Sequence, residues 1–369
     1  MSSKKYFITG GGTGGHIYPA IAVADALLGQ SDTEDIYYVG NPNNLEFSIV
    51  ADKNYTFLPV LSSGMPRKFS FAFIKWSVQM LKGWIKCCRY IKKYRPDAVF
   101  GTGGYVSAPV LLAAYTMKVP FVMHDCDANP GLVTRKLAPF ANSVSVAFDI
   151  AKSKIANSKC NVNGNPIRRQ FSYLTKDNAR KSLCLEDKLT VCIMGGSQGA
   201  KKINDSVLKI ISKLTNEFDL QVIFQTGKKN YDEVINSLKE IYPDYSNDKN
   251  LIVKPYFDDM VTVLKASDIA VSRAGSLSIS ELCASSVATI FIPYAFAAAD
   301  HQRKNAKFMV QNGAGLYLED SDTTSEILEK MILSLVEDKS KLDEIQCNAL
   351  KMAKFDGVEK IVKQIKDCV

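Results

Sequence analysis

The sequence lacks the features of a membrane-spanning or disulfide-bonded protein. Its longest apolar run, 287–299, contains Pro293 and falls well short of the ~20 residues that a spanning helix needs. The first apolar run, 6–8, is too short for a signal peptide, so none is predicted. The nine cysteines form no CxxC or CxxH pattern. We therefore expect free thiols in a reducing compartment, without a disulfide framework or a zinc site.

Acidic residues are missing from one long stretch. None lies between Asp52 and Asp97, an interval that contains ten lysines and arginines, and the whole chain carries a net charge of +8. A basic block of this kind typically faces an anionic membrane, a nucleic acid or a polyanionic substrate. No RNA- or DNA-binding motif accompanies the charge, so we expect no nucleic-acid partner.

The same stretch is rich in aromatic residues and contains both tryptophans of the chain. Trp76, Met80 and Trp84 follow an i, i+4 spacing that places them on one face of a predicted helix. Lys75 and Lys82 lie near this face. Basic residues around an apolar face are typical of a helix that adsorbs to anionic lipid, and these five residues are predicted to associate with a membrane. Packing of the face on the protein's own sheet is the alternative.

Short apolar runs alternate with longer helical patterns, with six candidate strands between 5 and 146 and six between 189 and 318. This alternation predicts an α/β protein with two doubly wound parallel sheets. A turn-rich stretch at 163–166 separates the two series, so we predict domains over 1–163 and 164–352. A helical pattern follows at 358–367. We expect segment 353–369 to pack back on the first domain, although the pattern alone leaves this open.

Four glycine-rich turns follow predicted strands, at 10–16, 101–105, 195–200 and 274–276. Because glycine has no side chain, backbone N–H groups at such a turn can close on a phosphate, and the next helix directs its positive end at the anion. A tight strand–helix connection explains any single turn, but it is disfavoured for the set. The first and third turns begin the two strand series, which predicts two phosphate-handling Rossmann-like units.

The first turn also satisfies the G-x-G-x-x-G pattern of dinucleotide enzymes through Gly10, Gly12 and Gly15. That pattern requires an acidic residue at the end of the second strand, to hold a ribose. Here the strand ends in Tyr38-Val39-Gly40-Asn41. A nicotinamide cofactor is therefore disfavoured, and no cofactor is predicted.

Taken in order, these motifs closely resemble those of the MurG family of peptidoglycan glycosyltransferases. The resemblance spans nearly the whole chain, and the combination of motifs is highly specific. It is carried by GGTGGHIYPAIAVADAL (11–27), RPDAVFGTGGYVSAPVLLAA (95–114), GNPIR (164–168), MGGSQGAKKIN (194–204), FDDMVTVLKASDIAVSRAGSLSISEL (257–282) and ADHQRKNA (299–306).

The resemblance implies a GT-B fold, in which two Rossmann-like domains face a central cleft. It implies inverting transfer of N-acetylglucosamine from UDP-N-acetylglucosamine to the 4-hydroxyl of the muramoyl sugar of lipid I, a polyprenyl-diphosphate-linked acceptor, giving lipid II and UDP. The expected setting is peptidoglycan synthesis, with its roles in cell shape and division, at the cytoplasmic face of the inner membrane. The protein would be peripheral on that anionic surface. Another GT-B enzyme on the same donor, a soluble-acceptor hexosamine transferase or an epimerase, is the alternative.

The family pattern also implies which residues hold the donor. Glu281 would accept hydrogen bonds from the ribose hydroxyls, and Arg168 would place a positive charge beside the nucleotide. Phe257 would frame the uracil with backbone groups. Gln302 would read the sugar hydroxyls, because an amide both donates and accepts. The other expected donor-binding residues are Thr13, Gly14, Gly15, Asp127, Ser197, Ser276, Leu277, Ser278 and His301.

His16 is the leading candidate for the base that takes the proton of the acceptor hydroxyl, since imidazole titrates near neutral pH. Binding of the acceptor diphosphate is the alternative role for His16. Asp125 is the second predicted catalytic residue. The expected acceptor-binding residues are Gly14, His16, Gly103, Gly104 and Tyr105.

The chain departs from the family after its fifth predicted strand. The family has His-Glu-Gln-Asn there, whereas this chain has His124-Asp125-Cys126-Asp127. An aspartate at 127 accepts from a sugar hydroxyl but does not donate, so Asn129 is a candidate substitute. The Asp-x-Asp pattern imitates a metal-binding motif of another glycosyltransferase fold. Its position on the acceptor side argues against that role, and no metal is predicted.

Overall fold

The computed structural model describes residues 3–66, 70–196, 199–297 and 300–369. The chain divides into two compact units, Met1–Ile167 together with Asp356–Val369, and Arg168–Phe355. The sequence-based limits were 163/164 and 352/353. Each unit is built on one parallel sheet, so the predicted α/β class with two parallel sheets is confirmed.

Within the described residues, the sheet of the first unit contains seven strands. They are β1 (Lys4–Thr9), β2 (Thr33–Gly40), β3 (Thr56–Pro59), β4 (Ala98–Gly101), β5 (Phe121–Asp125), β6 (Ser143–Val146) and β7 (Cys160–Val162). The strand order is β3-β2-β1-β4-β5-β6-β7, and all pairs are parallel. Because β1 and β4 are neighbours, the glycine turns that follow them lie at the same edge of the sheet. Strand β7 was not among the predicted strands.

Six helices of the first unit connect these strands. They are α1 (Gly14–Leu28), α2 (Leu45–Val50), α3 (Phe71–Tyr94), α4 (Gly104–Thr116), α5 (Leu132–Leu137) and α6 (Asp149–Lys152). Helix α1 buries Ile17, Ala20, Ile21 and Ala24 against the sheet, at the i, i+3, i+4, i+7 spacing of one helical face. Among the described residues, no helix is both long enough and apolar enough to span a bilayer.

In the part of the second unit that the structure describes, six parallel strands lie in the order β10-β9-β8-β11-β12-β13. They are β8 (Thr190–Met194), β9 (Gln221–Gln225), β10 (Leu251–Lys254), β11 (Ile269–Ser272), β12 (Ala288–Phe291) and β13 (Leu316–Tyr317). Its helices are α7 (Lys176–Ser182), α8 (Lys201–Leu208), α9 (Ile211–Asn216), α10 (Tyr231–Ile241), α11 (Met260–Ala266), α12 (Ser276–Ala284), α13 (His301–Gln311), α14 (Ser325–Val336) and α15 (Lys339–Met352).

The last helix, α16 (Gly357–Lys366), packs on the first unit. Its Ile361 and Ile365 are fully buried in the core cluster that also contains α1. Gln364 adds hydrogen bonds, accepting from Asn163 Nδ2 at 2.7 Å and donating to Ser143 Oγ at 2.6 Å. The helix is therefore held by both apolar burial and a polar network.

Candidate functional site

The first glycine turn leads into α1, and His16 lies in the first turn of that helix. The imidazole Nδ1 lies 2.9 Å from the carbonyl oxygen of Thr102, while Thr102 Oγ1 donates to the carbonyl oxygen of His16 at 2.7 Å. A carbonyl only accepts, so Nδ1 carries the hydrogen. The neutral ring therefore presents its lone pair at Nε2, as a general base requires.

The second glycine turn passes directly beside the His16 ring. Gly104 has a φ of +73°, and a Cβ added there would lie 3.1 Å from Cδ2 and 3.5 Å from Nε2 of His16. A larger residue would be strained by the left-handed backbone and would displace the ring. Gly103 also has a positive φ, of +82°, and precedes α4. The structure thus brings the predicted residues of the two turns together.

Tyr105 lines the first glycine turn. A Cβ added at Gly12 would lie 3.0 Å from Cε1 of Tyr105, and the Tyr105 hydroxyl accepts from Asn44 Nδ2 at 3.1 Å. Thr13 is exposed just before α1, and α1 begins at Gly14. All the residues predicted to bind the acceptor therefore lie along these two neighbouring turns.

Asp125 ends strand β5 and is buried. Its Oδ1 accepts from the N–H of Asp127 at 3.2 Å, and its Oδ2 accepts from the N–H of Gly131 at 3.0 Å. Burial and the neighbouring charge of Asp127 raise the pKa of the Asp125 carboxyl. This geometry holds the loop after β5. A catalytic role for Asp125 stays a prediction.

The residues around Asp125 fall into two environments. His124 is fully buried between Ser145 Oγ at 2.9 Å and Asn165 Oδ1 at 3.0 Å, and burial lowers its pKa to about 4. It is therefore neutral at pH 7 and supports the fold. On the loop, the side-chain oxygen of Asn129 accepts from Lys154 Nζ at 3.3 Å. Asn129 was the candidate to contact the sugar in place of Asp127. Since its side-chain oxygen is bonded to Lys154, this contact would be made by its amide nitrogen.

In the second unit, the third glycine turn follows β8. Gly196 has a φ of +84°, and no described atom lies within 4 Å of a Cβ added there. Gly199, by contrast, packs against the carbonyl of Thr226, which a Cβ would approach to 2.3 Å. Ser197, predicted to bind the donor diphosphate, lies outside the described residues.

Arg168 and Glu281, two predicted donor residues far apart in the sequence, form an ion pair. Arg168 Nη2 lies 3.2 Å from Glu281 Oε1, and the Arg168 guanidinium also covers the ring of Phe171. The Glu281 side chain is only 14% exposed. Burial raises the pKa of its carboxyl, while the charge of Arg168 opposes that rise. The pair therefore combines a shielded carboxyl with a cation.

Helix α12 carries Glu281 and begins at Ser276, so Ser276, Leu277 and Ser278 form its first turn. The N–H groups of a first turn have no partner within their own helix and point along the positive end of its dipole. The predicted diphosphate residues thus occupy a position that suits an anion, three to five residues before the carboxyl of Glu281.

Side-chain amides make hydrogen bonds at two further predicted donor residues, Phe257 and Gln302. The N–H of Phe257 donates to Gln225 Oε1 at 3.0 Å, so the predicted backbone contact of Phe257 with the uracil concerns its carbonyl group. Gln302 Oε1 accepts from the N–H of Tyr294 at 2.9 Å, which directs its amide nitrogen as the donor. His301 precedes Gln302 as the first residue of α13. Sequence reasoning missed Gln225, whose signal is a polar residue at the end of an apolar strand.

The predicted membrane face of α3 is half-buried. Trp76 Nε1 donates to the carbonyl of Ser63 at 2.9 Å, and Trp84 Nε1 donates to Thr116 Oγ1 at 3.1 Å. Met80 is also half-buried, and Trp84 packs against the core. A second row on the same helix is more exposed and is called the apolar stripe below. It consists of Phe71, Ile74, Val78, Leu81 and Ile85.

The described residues contain no group of three or more His, Cys, Asp or Glu side chains arranged to hold a metal ion.

Two family models match the chain. The glycosyltransferase family 28 N-terminal domain matches residues 6–146, and the glycosyltransferase family 28 C-terminal domain matches residues 190–365. Together they cover both units and most of the chain.

Curated relatives match almost end to end. A protein of Desulforamulus reducens is 36% identical, with 98% of each chain covered, and one of Halothermothrix orenii is 35% identical with the same coverage. Both are named UDP-N-acetylglucosamine–N-acetylmuramyl-(pentapeptide) pyrophosphoryl-undecaprenol N-acetylglucosamine transferase.

Solved structures agree. MurG of Acinetobacter baumannii is 26% identical, covers 99% of each chain and superposes with a TM-score of 0.77. A UDP-GlcNAc 2-epimerase of Neisseria meningitidis has a TM-score of 0.66 at 14% identity over the full length of both chains, which indicates a shared fold only. The predicted GT-B fold and glycosyltransferase class are confirmed. From the matched domains and the relatives of similar length, the chain belongs to the MurG family of glycosyltransferases.

Proposed function

We propose that the protein transfers N-acetylglucosamine from UDP-N-acetylglucosamine to the 4-hydroxyl of the N-acetylmuramoyl sugar of lipid I, and releases UDP. The names of its relatives support this donor and this acceptor. The observation that carries the proposal is the 2.9 Å distance between His16 Nδ1 and the carbonyl oxygen of Thr102, from which we infer that the neutral ring carries its hydrogen on Nδ1. Nε2 is then the proton acceptor, on the side of the ring that faces Gly104.

The reaction needs one proton acceptor and one leaving group. The acceptor hydroxyl oxygen forms a bond to the anomeric carbon of the donor sugar, the bond from that carbon to the UDP oxygen breaks, and His16 Nε2 takes the hydroxyl proton. Attack on the face opposite to the leaving UDP inverts the configuration. Gly14, Gly103, Gly104 and Tyr105 would hold the diphosphate of the acceptor.

The donor is assigned mainly to the second unit. The Glu281 carboxyl would accept from the ribose hydroxyls, and Arg168 would keep that carboxyl charged. The first turn of α12 and Ser197 would hold the diphosphate, and Gln302 would donate to the sugar. Asp125 would act as a positioning residue that shapes the loop carrying Asp127.

Transfer is tested with radiolabelled UDP-N-acetylglucosamine, with and without a lipid I analogue. We expect label in the lipid fraction only when the analogue is present. His16→Ala should lower kcat by about 10²–10⁴-fold, the typical contribution of a general base, while KM for the donor changes by less than about twofold. Donor turnover that ignores the analogue would indicate an epimerase instead. A variant changed only in donor KM would make His16 a binding residue.

We further propose that the protein lies peripherally on the anionic cytoplasmic face of the inner membrane, and contacts it through α3. Phe71 is 82% exposed and Ile74 is 61% exposed, although both are large and apolar. Lys75 and Lys82 lie exposed on the same helix. An apolar row beside lysines suits insertion among anionic headgroups. Trp76, Met80 and Trp84 would border this contact.

The membrane proposal is tested with phosphatidylglycerol vesicles. The double variant Ile74→Ser, Leu81→Ser removes two side chains of the apolar stripe and should lower vesicle affinity by about tenfold or more. The control is Ile241→Ser, which changes an isoleucine of the second unit that is 52% exposed. Equal affinities of the double variant and the control variant would place the membrane contact elsewhere.

A further inference from the structure

A buried carboxylate lies directly behind the first glycine turn. Glu46, in the first turn of α2, is fully buried. Its Oε2 accepts from the N–H of Gly12 at 3.1 Å, and its Oε1 accepts from the N–H of Asn41 at 3.1 Å. One side chain therefore links the glycine turn to the segment that follows β2.

Two glycines make the space that this carboxylate occupies. A Cβ added at Gly11 would lie 2.5 Å from Oε1 of Glu46, and one added at Gly40 would lie 3.0 Å from its Cγ. The first contact is shorter than real Cβ atoms show and the second is tighter than most, so a side chain at either position would push the Glu46 carboxylate from its place. The missing side chain at Gly11 therefore makes room for a carboxylate of the protein itself.

The same carboxylate reaches Tyr105 through Asn44. The Asn44 amide nitrogen lies 3.4 Å from Glu46 Oε1 and 3.1 Å from the Tyr105 hydroxyl. The Tyr105 ring packs in turn against Gly12, whose N–H is bonded to Glu46. Glu46, Gly12, Tyr105 and Asn44 thus form a closed ring of contacts.

We propose that Glu46 is a positioning residue for the acceptor diphosphate. It turns the Gly12 N–H inward and, through Asn44, fixes the hydroxyl of Tyr105. The N–H groups that we assign to the diphosphate are then those at the start of α1, at Gly14 and Gly15. Because the role concerns the acceptor, this inference rests on the proposed function.

The test replaces Glu46 by Gln and measures acceptor and donor separately. An amide has one accepting oxygen, so Glu46→Gln leaves one of the two N–H groups unpaired. We expect KM for a lipid I analogue to rise by about tenfold or more, with the donor KM within about twofold of wild type. Glu240→Gln, the same change at an exposed residue of α10, is the control and should match wild type.

A second pair of variants leaves the Glu46 backbone contacts intact, in case Glu46→Gln unfolds. Asn44→Ala and Tyr105→Phe each remove the Asn44–Tyr105 hydrogen bond. The acceptor KM of the double variant should therefore lie within about twofold of the acceptor KM of the more impaired single variant. The positioning role would be overturned if the effects of the two single variants on the acceptor KM multiplied in the double variant. An unchanged acceptor KM in Glu46→Gln would also overturn it. Equal losses for both substrates would also overturn it.

Binding of the analogue, measured by calorimetry, separates the two proposals. If the wild-type protein transfers N-acetylglucosamine to the analogue and the variants bind the analogue as well as wild type does, the role of Glu46 is overturned and the proposed function is kept. A wild-type protein that neither binds nor modifies the analogue overturns the acceptor assignment and, with it, the role of Glu46.

Discussion

The glycine turns that follow β1 and β8 have similar sequences, yet their second glycines, Gly11 and Gly196, have different surroundings. After β1, a Cβ added at Gly10 would lie 2.1 Å from Thr102 Oγ1 and 2.6 Å from the carbonyl oxygen of His16. After β8, the left-handed Gly196 faces no described atom within 4 Å. The first glycine of the third turn is packed as tightly as Gly10, since a Cβ added at Gly195 would lie 2.4 Å from the nitrogen of Ala200. The two turns differ at the second glycine, where Gly11 meets Glu46 and Gly196 meets no described atom. A run of glycines therefore does not by itself indicate where a ligand approaches.

The largest effect is expected from Gly10→Ala. The new methyl group would displace Thr102 and the backbone of His16, at a cost of about 1–3 kcal/mol in the free energy of unfolding. A shift of His16 by about 1 Å should lower kcat by roughly a hundredfold. Denaturant unfolding and transfer assays measure the two effects. Wild-type activity in a stable variant would show that the packing of this turn is dispensable.

Gly196→Ala is a change at the second glycine of the other turn. Its cost in stability is limited to the left-handed backbone, about 1–2 kcal/mol. The methyl group enters open space, where we place the donor diphosphate, so KM for the donor should rise while KM for the acceptor is kept. A rise in the acceptor KM instead would reverse the assignment of the two turns.

A smaller effect is expected from pH. Burial raises the pKa of the Glu281 carboxyl and Arg168 opposes this, so its contribution to stability is complete at low pH and is lost as pH rises through the raised pKa. UDP binding has the opposite dependence, because the ribose hydroxyls bind better to the ionised carboxylate. Calorimetry of UDP binding against pH should therefore show affinity falling on the acid side.

Arg168→Gln tests whether Glu281 is the group that causes this pH dependence of UDP binding. Loss of the guanidinium removes the group that lowers the pKa of Glu281, so the acid limb should move to higher pH. The expected loss of UDP affinity near neutral pH is a few-fold. An unmoved acid limb would mean that a different group titrates.

Much of the fold follows from the sequence, because buried parallel strands are continuous apolar runs. Strand β7 was missed since its three residues include the exposed Asn161. The membrane face of α3 was predicted from the i, i+4 row of Trp76, Met80 and Trp84. A second, more exposed row alternates i+3 and i+4 steps from Phe71 to Ile85, a spacing that is also typical of one helical face. Which row meets a membrane stays a prediction.

The candidate site was less accessible to sequence reasoning. The family resemblance supplied the roles of Arg168 and Glu281, but their pairing depends on the fold. Glu46 belongs to no glycine motif, and only the packing around Gly11 reveals it. The bond between His16 and Thr102 joins the two turns because β1 and β4 are neighbours in the sheet.

The position of α16 in the chain has a consequence for the order of folding. The core of the first unit includes Ile361 and Ile365, which follow the whole second unit in the sequence. A ribosome therefore completes residues 168–355 before it supplies the helix that closes the first core. During synthesis, all residues of the second unit are made before α16. Until α16 is made, part of the apolar surface of the first unit lacks the helix that covers it. Of these two units, the one that comes first in the sequence is therefore the one that translation completes last.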